Sequence, residues 1–351
     1  MRPVYLGESG LVSALGVNRA EQLTAMAGKG PCTRTVEFAD GASAVLYAGI
    51  PFEANTWEQR ARALLRRAMH ADEDRSCPLI LATSSYNLGQ IEAGEAALES
   101  ITEFASELAR WLDWQGPPAA VTTACTSGMN ALLDAAALIA GGEADEVLVV
   151  GFELFNAFSV AGFSGMQLTT SGAPRPFGQE RQGIMLGESI ATMRLSAKPT
   201  PWRLCGGAHR VDHLDATGAS VASIYKVMQA ALLDAGVAAQ AIGLVKVQAS
   251  GSPQTDAAEA QALQELFGQA PSLVSFKAAL GHCLGACGVA ELVLLLWALQ
   301  ERKWPLVGWV QDESLGVGLG NVAPHPLPRY LMAYVLGFGG SAASLVVEHI
   351  G

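Results

Sequence analysis

Short apolar runs such as EVLVVG, residues 146–151, alternate along this chain with longer alanine-rich stretches. A strand that is apolar at every position has no face to give to water, so its sheet must lie between layers of helix. Strands spaced by helical patterns in this way favour a layered α/β fold. The pattern predicts strands at 44–48, 78–82, 120–124, 146–151, 189–195, 244–249, 330–336 and 344–348. It predicts helices at 56–70, 92–114, 128–140, 220–235, 256–267 and 285–300. The chain also reads as two similar halves, each with a strand, a Gly/Ser-rich turn and a buried small-residue helix. The stretch LSAKPTPWR, 195–203, interrupts the pattern, which gives halves at 1–198 and 199–351.

Half of the 351 residues are hydrophobic and only 16% are charged, which suits a large core and a tightly packed oligomer. The formal net charge of -11 argues against nucleic acid, whose phosphates need a basic surface. An acidic carrier protein would need a local basic patch. The start, MRPVYLGESGLVSALG, lacks a basic segment followed by a long apolar run, so no secretory signal is expected. The apolar run LVLLLWAL, 292–299, is too short for a membrane span. Six cysteines without paired spacing are then expected as reduced thiols in the cytoplasm. Cys283 and Cys287 lie one helical turn apart beside His282, but no second ligand pair accompanies them. Close packing by small residues is expected there, and no metal.

The stretch VTTACTSGMNALLDAAALIAGG, 121–142, sets Cys125 between a strand and a long apolar helix. A thiol at a helix N-terminus meets unpaired backbone N–H groups and the positive end of the dipole, which favour the reactive thiolate. A buried cysteine packed as a small hydrophobe fits the same local pattern.

Wider motifs bear on that choice. GLVSALG, TTACTSGMNAL, RPFGQERQGIMLGES (175–189), KAALGHCLGACGVAEL (277–292) and GFGGS (337–341) occur in an order that resembles the β-ketoacyl-acyl-carrier-protein synthases, the condensing enzymes of fatty-acid and polyketide assembly. The resemblance runs from about Val4 to the C-terminus. It implies a thiolase-like, five-layered αβαβα fold made of two related halves and dimerised across a sheet edge. It implies that Cys125 takes the acyl chain, with the backbone N–H groups of Cys125 and Phe338 as an oxyanion hole. Gly337 and Gly339 would let that backbone approach the substrate, and Phe338 would gate the acyl tunnel. His282, as a neutral imidazole, would donate to the malonyl thioester carbonyl, and Lys277 would pair with Glu291. Ser250, Ser252 and Thr217 would bind the pantetheine arm. No cofactor is implied, because the acyl group arrives on the phosphopantetheine of an acyl carrier protein.

One position departs from the family pattern. Aligning VQASGSPQTDAAEAQAL on Pro253, Asp256 and Glu259 puts Gln248 where a second catalytic histidine belongs. Glutamine can donate a hydrogen bond but cannot carry a proton. Losing one general acid/base costs on the order of 10²–10⁴ in rate. His209 and His213 are the candidates to stand in, with solvated loop histidines as the plainer expectation. The resemblance therefore implies a condensation-impaired subunit like a chain length factor, paired with an intact ketosynthase homologue. The alternatives are an active ketosynthase or acyltransferase, homodimeric or not, and a structural protein without acyl chemistry.

Overall fold

The computed structural model describes residues 2–38, 44–70, 74–97, 100–212 and 220–351. In chain order its strands are β1 (Val4–Ser13), β2 (Thr33–Glu37), β3 (Ala44–Ala48), β4 (Leu79–Ala82), β5 (Pro118–Val121), β6 (Glu146–Glu153), β7 (Leu186–Gly187), β8 (Ser189–Ser196), β9 (Trp202–Val211), β10 (Ile242–Lys246), β11 (Ser272–Val274), β12 (Tyr330–Gly337) and β13 (Ser341–His349). Ten of them are hydrogen-bonded in the order β11-β10-β12-β13-β9-β1-β8-β6-β4-β5. One arrangement is used twice. Within β1, β4, β5, β6 and β8, the first strand lies beside the fifth, followed by the fourth, second and third. Strands β9 to β13 repeat that order. Their directions repeat as well: first with fifth and fifth with fourth are antiparallel, and the remaining pairs are parallel. The two sets meet where Val4 and Tyr5 pair with Leu204 and Arg203.

Helices fill the spaces that these apolar strands require. The helices Ser127–Gly141 and Cys287–Glu301 touch strands of both sets and form the middle layer. Helices Trp57–Ala68 and Ile101–Trp111 cover the outer face of the first set, and Val221–Ala235 with Pro253–Phe267 cover the second. The result is the five-layered α/β arrangement implied by the motifs. Every residue from Cys287 to Leu299 is buried. LVLLLWAL is thus the centre of a longer apolar helix than its own length suggests. Two helices, Ala124–Gly141 and Leu284–Glu301, have the length and composition to cross a bilayer, with mean hydropathies of 1.2 and 1.5. They are 56% and 89% buried inside the protein, so their apolar surface is spent on the core.

Several expected boundaries move. The helix predicted over 92–114 is two: Leu88–Glu92, and Ile101–Trp111 after a break. Gly94 at φ +71 leaves the first, and Ser100 with Glu103 forms a reciprocal capping box that starts the second. The strand expected at 244–249 ends at Lys246, and the one at 120–124 is instead Pro118–Val121. Strands β2 and β9 and the helix Ala157–Gly165 were not anticipated.

Candidate active site

Beyond β5 the chain turns sharply into the helix Ser127–Gly141. Ala124 takes φ +52, a left-handed conformation that a non-glycine residue keeps only when its surroundings impose it. Ser127 Oγ fixes the turn, donating to the Ala124 carbonyl at 2.6 Å and accepting from the Thr123 N–H at 2.9 Å. Cys125 is left at the mouth of the helix and is 5% exposed. Its thiol is pushed up to about 11, chiefly by burial, with Glu153 adding to the rise. Lys277 and the backbone N–H groups of Phe338 and Cys125 pull it the other way. Those two N–H groups are the donors expected for an oxyanion hole. The β12–β13 hairpin brings Phe338 there, and glycine at 337 lets it come close: a Cβ would lie 3.2 Å from the Cys125 backbone nitrogen and 3.3 Å from that of Thr126, tighter than ordinary contact.

His282 Nε2 lies 3.2 Å from Cys125 Sγ. Burial, then the charges of Lys277 and Lys246, hold its imidazole well below its ordinary pKa, so it is neutral. Lys277 Nζ, a donor only, sits 3.0 Å from Nδ1. This network assigns the ring proton to Nε2, facing Cys125. Burial opposes the charge on Lys277, but Cys287 and Glu291 outweigh it and keep the ammonium protonated. Lys277 pairs with Glu291, whose other oxygen accepts from Lys246 Nζ at 2.5 Å. Lys246 also donates to the Tyr334 carbonyl at 2.6 Å. A fully buried line of contacts therefore runs from β10 to the nucleophile.

The 248–251 loop is pinned from beneath by the helix Pro253–Phe267. Glu259 accepts from the N–H groups of Gln248 at 2.6 Å and Ala249 at 2.7 Å, and Tyr334 Oη donates to the same carboxylate. Asp256 accepts from the N–H groups of Ser250 at 3.0 Å and Phe177 at 2.9 Å. Burial raises Asp256 to about 6, and burial with the neighbouring Asp256 raises Glu259 to about 7.

Cys125, His282, Gln248, Ser250, Ser252 and Phe338 share the wall of one cavity of about 70 Å³, which Gly337 also lines. Lys277 and Glu291 stand behind His282, and Asp256 stands under the loop. Gly339, at φ +75, shapes the hairpin turn and does not line the cavity. His209 is exposed on β9 beside a different groove, so it does not replace the missing imidazole. Thr217 and His213 lie outside the described residues.

Four participants were not foreseen. Phe163 stacks on Phe338, with ring centroids 4.9 Å apart and planes at 18°, and lines the cavity with it. Thr255 lines the wall. Cys287, expected only to pack, touches His282 Nδ1 at 3.1 Å and Lys277 Nζ at 3.0 Å. Lys246 was readable in principle, since a lysine inside the run IGLVKV must be paired if that strand is buried.

Comparison with known proteins follows the same layout. The family model "Beta-ketoacyl synthase, N-terminal domain" matches residues 84–199, and "Beta-ketoacyl synthase, C-terminal domain" matches 205–308. The 3-oxoacyl-[acyl-carrier-protein] synthase 2 of Vibrio cholerae is 28% identical over 267 residues, covering 67% of this chain and 63% of the relative. That of Mycobacterium leprae is 32% identical over 241 residues, covering 62% and 57%. The match thus spans under two thirds of these relatives' own length. Among solved structures, a ketosynthase in complex with its chain length factor from Xenorhabdus doucetiae superposes with a TM-score of 0.85 at 22% identity, over 99% of this chain and 98% of the other. A β-ketoacyl synthase from Burkholderia phymatum gives 0.84 at 24% identity, over the full length of both. The ishigamide ketosynthase/chain length factor gives 0.85 at 20%, again over both full lengths. One family thus accounts for the helix-mouth cysteine in the first half and the Lys–His helix in the second, and the chain belongs to the β-ketoacyl synthases.

Proposed function

We propose that Cys125 accepts an acyl group from the phosphopantetheine of an acyl carrier protein, and that the protein is impaired in the decarboxylative condensation that would follow. In the transfer, Sγ bonds to the acyl carbon, the carbon–sulfur bond to pantetheine breaks, and the thiol proton leaves with the pantetheine sulfur. The N–H groups of Cys125 and Phe338 hold the oxygen on which charge develops. Ser250 and Ser252 line the approach of the pantetheine arm. The observation that carries the proposal is Gln248: an amide lines the same cavity as a neutral His282, in a site otherwise furnished for acyl transfer. A second imidazole in that place can carry a proton as well as donate a hydrogen bond; the Gln248 amide can only donate, and its Nε2 already lies 3.4 Å from the Leu336 carbonyl. A subunit of this kind fits beside an intact ketosynthase homologue, as a chain-length-factor-like partner in a heterodimer. A second reading, a working ketosynthase, draws on the His282 Nε2–H, which already faces the nucleophile.

The test is mass spectrometry of the full chain after incubation with acyl carrier protein bearing a labelled acyl group. Label on Cys125, absent in Cys125→Ala, is expected. No label would leave only a scaffold. Subsequent malonyl carrier should yield no ketoacyl product, and product at a ketosynthase's rate would favour the second reading.

A further inference from the structure

The carboxylate of Glu153, at the end of β6, is 1% exposed and collects donors from both halves of the chain. One oxygen accepts from the Ser84 N–H at 2.9 Å, the Ser84 hydroxyl at 2.8 Å and the Gly285 N–H at 2.9 Å. The other accepts from the Ser85 N–H at 2.9 Å and from the Ser85 hydroxyl. An ionised carboxylate accepts on both oxygens, and this donor set fits one. The loop that holds Ser84 and Ser85 leads to the nucleophile. Its Thr83 carbonyl accepts at 3.3 Å from Ser127 Oγ, the hydroxyl that also fixes the turn at Ala124. Gly285 leads to the imidazole, since it lies three residues after His282 in the turn that opens the helix Cys287–Glu301. The two segments touch directly: a Cβ at 285 would lie 2.6 Å from the Ser84 backbone nitrogen. The charge of Glu153 also acts on Cys125, where it raises the thiol's pKa while Lys277 lowers it.

We infer that Glu153 is a positioning residue for acyl transfer, a buried brace that holds the Cys125 turn of the first half in register with the His282 segment of the second. The inference rests on the acyl-acceptor reading above and adds the group that joins the two sides of that site. The separation it guards is the 3.2 Å between Cys125 Sγ and His282 Nε2. A displacement of about 1 Å at a reacting group costs on the order of 10² in rate. The brace works against the thiol at the same time, because a fixed negative charge disfavours the thiolate. Removing that charge therefore moves two properties in opposite directions: alkylation of Cys125 becomes easier and acyl transfer becomes slower.

The experiment reads two rates at Cys125 by peptide mass, alkylation by iodoacetamide from pH 7 to 10 and transfer from an acyl carrier protein bearing a labelled acetyl group. Glu153→Gln removes the charge and keeps the shape. Its alkylation profile should lie at lower pH than that of the wild type, while acyl transfer falls by on the order of 10–10². The double variant Ser84→Ala, Ser85→Ala removes two donors and keeps the charge. Its acyl transfer should fall as well, with an alkylation profile that does not move to lower pH. An undisplaced profile in Glu153→Gln, or a profile displaced equally in both variants as general loosening would give, overturns the assignment. Acyl transfer at the wild-type rate in either variant also overturns it and leaves acyl acceptance standing. No label on wild-type Cys125 overturns both.

Discussion

At the scale of single residues, the site holds its thiol in reserve. Burial keeps Cys125 protonated near neutrality, while the nearby positive charge and N–H groups are fixed in place for the charge that develops on reaction. Only the thiolate is alkylated, so modification of Cys125 by iodoacetamide should rise about tenfold per pH unit between pH 7 and 10, because the thiol titrates at about 11. A plateau below pH 9 would contradict this. Lys277→Met removes the charge that most lowers the thiol, so its alkylation should be slower than wild type at each of those pH values, read by peptide mass. The Cys and Gly-His motifs were legible in the sequence because their chemistry is local. For Lys246 the need of a partner was legible but the partner was not, because Glu291 is 45 positions away on a helix. Gln248 could be noticed only against a family pattern.

At the scale of elements, the nucleophile is placed by two helices that nearly touch at their beginnings. A Cβ on Gly288 would lie 2.2 Å from the Met129 backbone nitrogen, and one on Gly128 would lie 2.9 Å from that of Val289. Both obstacles are backbone and cannot swing away. Gly288→Ala should therefore destabilise the protein by at least about 1–3 kcal/mol and slow acylation of Cys125, as measured by thermal unfolding and by mass. A variant with wild-type stability and acylation would mean that the helices are not held by this contact. Ser100→Ala should cost about 1 kcal/mol through loss of the capping box and leave acylation unchanged. That cap also explains why a single helix over 92–114 was a misreading. Alanine-rich apolar periodicity runs straight through the break, and the stop and restart are carried by Gly94 and Ser100 alone. Strand β9 was hidden for the opposite reason. Gly206 and Gly207 weaken a strand pattern, yet a Cβ at 207 would meet the Ser344 carbonyl oxygen at 2.7 Å, so the small residue is what lets β9 pair with β13.

At the scale of the whole molecule, one five-strand arrangement used twice explains why the site is assembled from both halves. The first supplies Cys125 at the mouth of its middle-layer helix. The second supplies Lys277 and His282 ahead of the corresponding helix, together with Gln248 and Phe338. Layering was legible because doubly buried strands leave no polar face. Strand order was not, since it depends on pairings between residues as distant as Tyr5 and Arg203. The sheet ends in the short strand β5, whose far edge has no partner strand among the described residues. On the proposed reading, co-expression with an intact ketosynthase homologue should give a one-to-one complex by size and native mass, in preference to a dimer of this chain alone. Persistent self-dimers with no mixed species would count against the partner role. The central claim, that an amide at 248 withholds condensation from an otherwise furnished site, is tested most directly by CO₂ release from malonyl carrier protein in the wild type and in Gln248→His. The account predicts background release from the wild type and a gain on the order of 10²–10⁴ in the variant. Release from the wild type as fast as from Gln248→His would contradict it.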